Sequence, residues 1–126
     1  MQDKKITKFT DLIAWQEGHK LVLEIYKVTD KFPKQEIFGL VNQMRRCAVS
    51  ITSCIAEGFS RSTPKDKNNF YYMTLGSVTE LQNQLLVSKD LEYLSKDEFV
   101  KLAEKTVTVQ KLTNGLIRYN KNKNRK

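Results

Sequence analysis

Residues 43–59 read QMRRCAVSITSCIAEGF, and their spacing decides the fold. Taken from Leu40, the apolar positions Leu40, Met44, Cys47, Ile51 and Cys54 recur at alternating intervals of four and three, the seam of a bundled helix. Val41, Ala48 and Ile55 widen that seam. A second stripe, Gln43, Arg46, Ser50, Ser53 and Glu57, is polar and mostly small, which lets a neighbouring helix approach closely. The charges in the stretch are Arg45, Arg46 and Glu57. It is predicted as the central helix of an all-α bundle, running from about Glu36 to near Phe59, and it carries no catalytic apparatus.

Working outward, the preceding segment predicts an amphipathic helix from Asp11 to about Asp30, capped by Thr10 or Asp11. Trp15, His19, Val22 and Tyr26 form one stripe, extended by Ala14, Leu21, Ile25 and Val28. Phe32-Pro33 ends it, because the residue before proline is pushed out of the α region. On the other side, Thr63-Pro64-Lys65-Asp66 is a helix start, with a capping threonine, proline in the first turn and an acid three residues on. This third helix runs to about Asp90, and from Asn68 to Ser88 its one charge is Glu80. Phe70, Thr74, Ser77, Val78, Leu81 and Leu85 make one face. Tyr72, Leu75 and Leu86 project from the other, so the helix is apolar nearly all round and predicts self-association. Ser95-Lys96-Asp97-Glu98 opens a fourth helix with a capping box, predicted to end near Arg118, with Phe99, Leu102, Thr106, Val109, Thr113 and Leu116 inward. The organisation expected is a basic arm over 1–9, an antiparallel up-down four-helix bundle over 10–118, and a basic flexible tail over 119–126.

Composition agrees. A chain of 126 residues with two prolines and five glycines suits one helical domain rather than a turn-rich β fold. Cys47 and Cys54 lie about 10 Å apart along one helix, too far to bridge. They read as small buried hydrophobes, which suits a reducing compartment. The N-terminus lacks the apolar core of a signal peptide and no stretch approaches a membrane span, so a cytoplasmic protein with no membrane role is expected.

The net charge of +8 belongs to the chain ends. Lys4, Lys5 and Lys8 face only Asp3 in the arm. Arg118, Lys121, Lys123, Arg125 and Lys126 meet no acid in the tail. Phosphate contact by this tail, each cation displacing condensed counterions, is the functional reading, with Asn120, Asn122 and Asn124 as hydrogen-bonding partners. Its plain competitor is a solubilising end. Arg61, Lys65 and Lys67 are the next nucleic-acid candidates. Glu57 and Glu80, each a lone charge in an apolar stretch, would need partners if buried. Arg45, Arg46 and Arg61 are the nearest, giving ion pairs between helices or subunits. The sharper alternative, a glycosidase-like acid/base pair, has no supporting pocket signature. A bundle metal site wants two Glu-x-x-His elements, and the one histidine, His19, is read as a half-buried polar tip. No catalytic residue, metal or cofactor is expected.

Further signals lie in Asp11-Leu12-x-Ala14-Trp15-Gln16, Phe32-Pro33, Gly39-Leu40-x-x-Gln43-x-Arg45-Arg46, Ser50-Ile51 through Ile55-Ala56-Glu57-Gly58-Phe59, and Gly76-Ser77-x-x-Glu80-Leu81. Together they resemble the 23S rRNA-intervening-sequence proteins, a family related to the accessory variability determinant of diversity-generating retroelements. The resemblance spans roughly residues 9–118 and leaves the tail outside. It implies an up-down bundle assembled as a homopentameric ring, with structural rather than catalytic roles for Gln43, Arg45, Arg46, Glu57, Gly58, Gly76 and Glu80. It also implies a ribosomal-RNA or nucleic-acid association. The function expected is that of a non-enzymatic RNA-associated accessory protein. The alternative is a protein-interaction scaffold, for example for a polymerase.

Overall fold

The computed structural model describes residues 5–124. Four helices form the bundle: α1 (Ile13–Thr29), α2 (Asn42–Ser60), α3 (Pro64–Asp90) and α4 (Lys96–Asn124). Each packs on the next and α4 returns against α1, which is the cyclic order of an up-down four-helix bundle. The α2 seam lies at its centre, with Met44, Ala48, Ile51 and Ile55 fully buried against Leu21 and Ile25 of α1, Val78, Leu81 and Leu85 of α3, and Leu102 and Val109 of α4.

The predicted helix starts of α3 and α4 hold in atomic detail. Thr63 Oγ1 accepts from the Asp66 N–H at 3.1 Å. Ser95 and Glu98 exchange reciprocal bonds at 3.0 and 3.1 Å.

Three boundaries differ from expectation. Asp11 does not cap α1. Its carboxylate instead accepts the N–H groups of Thr7 and Lys8, which close a short 3-10 turn at Phe9–Asp11 and hold its pKa below the usual carboxylate range. Leu12 stands at the α1 N-cap without a side-chain bond. Ahead of α2, Lys34–Glu36 forms a 3-10 turn and Ile37–Val41 a π turn, with Gly39 at non-helical φ/ψ. The Glu36 carboxylate takes the Leu40 N–H and the Tyr93 hydroxyl, so regular winding begins only at Asn42. The largest difference is in α4, which runs past Arg118 to Asn124. The first six residues of the expected flexible tail are helical.

In α1 the buried stripe is Ala14, Gly18, Leu21, Val22, Ile25 and Val28, while Tyr26 and His19 are exposed. His19 stacks on the half-buried Trp15 with ring centroids 4.8 Å apart, and is itself exposed rather than half-buried.

The α3–α4 connection closes α3 with a Schellman pattern. The Tyr93 N–H returns to the Ser88 carbonyl and the Glu92 N–H to the Lys89 carbonyl, with Glu92 in the left-handed region at φ 63. Glycine is the usual residue there because it has no Cβ penalty. Glu92→Gly should therefore stabilise the fold by about 0.5–1 kcal/mol, read as a raised denaturation midpoint at constant slope.

Candidate nucleic-acid interface

An up-down bundle of four helices brings both termini to the same end. The start of α1, the α2–α3 connection and the end of α4 therefore meet, and so do the basic segments that the sequence keeps apart. Lys5 and Lys8 come from the N-terminal side, Arg61, Lys65 and Lys67 from the connection and α3's first turn, and Arg118, Lys121 and Lys123 from α4. All are exposed except Lys67, which is half-buried. Lys4, Arg125 and Lys126 lie outside the described residues.

Among the described residues the acids at this end are few: Asp11 in its turn, Asp66 in the first turn of α3, and Glu57 3.9 Å from Arg61. The opposite end carries Asp30, Glu36, Asp90, Glu92, Asp97 and Glu98 against Lys27, Lys31, Lys34, Arg45, Lys89 and Lys96, and is balanced rather than basic. Charge is thus graded along the bundle, an arrangement that orients an approaching polyanion toward the end that holds the termini.

A buried polar clamp fixes the last turns of α4. Asn120 Nδ2 donates to Asn68 Oδ1 at 2.8 Å, and Asn68 Nδ2 donates to the Ile117 carbonyl at 3.2 Å. Asn120, expected to reach phosphate, is therefore a structural residue, 6% exposed. The clamp sets Lys121 Nζ 5.7 Å from the Tyr72 ring centroid and Lys123 Nζ 5.9 Å from that of Tyr119. Across from them the Arg61 guanidinium lies 4.5 Å from the Phe70 ring, and Lys67 Nζ donates to the Phe59 carbonyl at 2.6 Å. Burial, and then the charge of Lys123, hold the Lys67 pKa below the usual lysine range. A cavity of about 270 Å3 opens beside these groups, between Phe59, Tyr71, Leu116 and Tyr119, with Lys67 and Asn120 on its lining.

The remaining sequence candidates fall elsewhere. Arg45 is no counter-charge for either glutamate. Its Nε donates to Thr29 Oγ1 at 3.0 Å and its Nη2 to the Tyr26 carbonyl at 3.2 Å, with the guanidinium over the Tyr26 ring. It therefore serves the carbonyl end of α1, where a cation is favourable. Glu57 and Glu80 are both exposed, so neither demands a buried partner within the chain. Glu57 meets Arg61 at the surface. Glu80 accepts from Gln84 and shares a small polar cleft with Gln43, Arg46, Cys47, Ser50 and Ser77. Within that cleft the Cys47 thiol donates to the Ser77 carbonyl at 3.0 Å, and the Ser50 and Ser77 hydroxyls meet at 3.0 Å, the close α2–α3 approach that the small-residue stripe predicts.

Glu80 thus lies level with Cys47, whereas Glu57 lies level with Tyr71, which packs on Gly58. Ten residues of α2 place about 15 Å of helix rise between them, well beyond the roughly 5–9.5 Å of glycosidase carboxylate pairs. Cys47, its thiol pushed up to about 12 mainly by burial, and Cys54, pushed up for the same reason, are poor nucleophiles. Tyr72 and Leu86 are exposed and Leu75 half-buried; with Met73 and Val87 they make two apolar patches on the back of α3, separated by the exposed Gly76, Thr79, Glu80 and Asn83. Among the described residues no helix is long and apolar enough to cross a membrane.

Sequence reasoning missed Lys5, Lys8 and Tyr119 as members of one surface. The signal was available in the even helix count, which places both termini together.

A profile described as the 23S rRNA-intervening sequence protein matches residues 10–115. A crystal structure from Bacteroides thetaiotaomicron, at 1.70 Å and described as a protein with unknown function from the S23 ribosomal protein family, superposes with a TM-score of 0.75. The two are 19% identical, over 83% of this chain and 98% of that one, a likeness of fold. No curated protein matches the sequence.

Proposed function

Because this chain belongs to the 23S rRNA-intervening sequence protein family, we propose that it is a non-enzymatic, self-associating bundle that binds nucleic acid, RNA foremost, through the basic end. The observation that carries this reading is the convergence of Lys5, Lys8, Arg61, Lys65, Lys67, Arg118, Lys121 and Lys123 on one end, while acids and bases balance at the other. The family's association with ribosomal RNA supports RNA as the first ligand to test. The apolar back of α3 supports assembly, and a ring of five copies would present several basic ends together and raise avidity.

Binding should weaken steeply with salt, since each neutralised phosphate contributes about 0.7 to the log–log slope for a single strand and about 0.9 for a duplex. Lys121→Ala with Lys123→Ala should lower that slope by about 0.7–0.9 per lysine, measured by fluorescence anisotropy across a salt series. The pair Lys31→Ala with Lys34→Ala, at the opposite end, should leave it unchanged. Absence of binding to RNA and DNA at low salt would sink the proposal.

One observation favours the second reading, a scaffold for a protein partner. Phe38 is 93% exposed and Ile37 50% exposed, both on the π turn at the end away from the termini. Co-purification of a protein that survives nuclease treatment and is lost with Phe38→Ser would favour the scaffold.

A further inference from the structure

At the basic end, aromatic rings alternate with cations. We propose that this end accepts an unpaired nucleobase of a single-stranded nucleic acid, with Tyr119 as the stacking surface and the surrounding lysines on the flanking phosphates. The inference rests on the nucleic-acid reading above and narrows its ligand from any polyanion to a single strand with at least one unstacked base.

Tyr119 carries the argument. It sits in the penultimate turn of α4 and is 64% exposed, so its ring adds little to the core. A lysine ammonium, that of Lys123, lies 5.9 Å from its centroid. Such an exposed contact is weak beside base stacking, and the long side chain that makes it can swing aside to a phosphate. A base laid on the same ring gains about 1–3 kcal/mol and would win that competition.

Beside Tyr119 the cavity of about 270 Å3 falls just below the roughly 300–1,000 Å3 of drug-sized sites. Its size suits one planar ring rather than a base pair. Phe59, Tyr71 and Leu116 make apolar walls, and Ile6 and Leu12 reach it from the N-terminal side. Lys67 supplies the polar atom. Its ammonium has three N–H donors, one committed to the Phe59 carbonyl, which leaves donors for a base carbonyl or a phosphate. Burial and Lys123 already disfavour its charge, and an incoming anion relieves that repulsion.

Charge complementarity selects the occupant. An apolar cavity with Lys67 on its lining and Lys123 over the ring of Tyr119 at its rim, on an end that also carries Arg61 and Lys121, matches a ligand with a flat apolar ring and a phosphate on either side. A duplex does not fit this description, because its bases are stacked inward and only its phosphates can reach the bundle. Aromatic platforms flanked by cations are the general solution for single strands.

The test uses the full chain and two probes of equal phosphate number. One is a single strand of about 8 nucleotides with a central 2-aminopurine, in ribose and deoxyribose forms, and the other is a blunt hairpin duplex. The expected result is tighter binding of the single strand, quenching of 2-aminopurine on binding, and a loss of about 5- to 150-fold in single-strand affinity for Tyr119→Ala. Tyr119→Phe, which keeps the ring, should retain the wild-type affinity. The salt slope of Tyr119→Ala should match the wild type, because no phosphate contact is removed, and its circular dichroism should be unchanged because the side chain is exposed. Equal binding of hairpin and single strand, no quenching, and wild-type affinity in Tyr119→Ala would overturn the inference while leaving nucleic-acid binding intact. Failure of both probes to bind at low salt would overturn the nucleic-acid reading itself, and this inference with it.

Discussion

Gly58→Ala will lower the stability of the fold by about 1–3 kcal/mol, although alanine is the better helix former. A Cβ at position 58 would stand 2.6 and 2.9 Å from two ring carbons of Tyr71 and 3.1 Å from the Lys67 carbonyl oxygen. Real Cβ atoms do not come so close to a ring, so something must move. Tyr71 has little freedom to do so. It is 2% exposed, and burial pushes its phenol up to about 12. The Lys67 carbonyl belongs to the α3 backbone, so the remaining relief is to part α2 from α3 at the end that holds the cavity.

Gly76 makes the contrast. A Cβ there meets nothing within 4 Å, and Gly76→Ala should stabilise the isolated chain by about 0.5–1 kcal/mol through helix propensity alone. Urea unfolding of the two variants side by side separates a glycine required by close approach from one that the monomer does not require. If Gly58→Ala matches or exceeds the wild type, the α2–α3 approach is looser than the geometry states.

This difference between two glycines of one sequence pattern illustrates what the sequence could reveal. The α2 seam was legible because Met44, Cys47, Ile51 and Cys54 obey a period that no loop residue interrupts. The starts of α3 and α4 were legible because capping is local, the donor and acceptor lying within three residues. Tertiary bonds were not legible. The end of α4 was misplaced because the apolar period fades after Ile117, and what holds the next turns is Asn120 on Asn68, two polar residues 52 apart in the chain. Glu36 interrupted the lead into α2 through Tyr93, 57 residues away. The glutamates were legible in part: Glu57 meets Arg61, one of its expected partners, but at the surface. A lone charge in an apolar stretch is buried only if its phase on the helix turns it inward, and Glu57 and Glu80 both face out. The candidate interface was half legible. Each basic cluster could be read from the chain, but their union required the topology.

The phase of α3 also sets the last prediction. Leu81 and Leu86 lie on the same helix and differ in where they point. Leu81 is fully buried and packs in the central core. Leu81→Ala removes that packing and leaves a cavity, and should cost about 2–5 kcal/mol, enough to lower the thermal midpoint by several degrees or more. Leu86 is 47% exposed, on the back that carries Tyr72, Met73 and Val87. In an isolated bundle Leu86→Asp would act as a surface substitution, changing stability by no more than about 0.5 kcal/mol. If the α3 back is the contact between copies, the same change places a charge in an apolar interface and dissociates the assembly. Analytical ultracentrifugation should then find the wild type well above the 14.7 kDa of one chain and Leu86→Asp near it, with the helical spectrum of both unchanged. A wild type that sediments as a single chain at high concentration would refute self-association and leave α3 with an apolar surface of another use. Leu81→Ala guards against misreading, because a core variant that loses stability without changing mass separates folding from assembly.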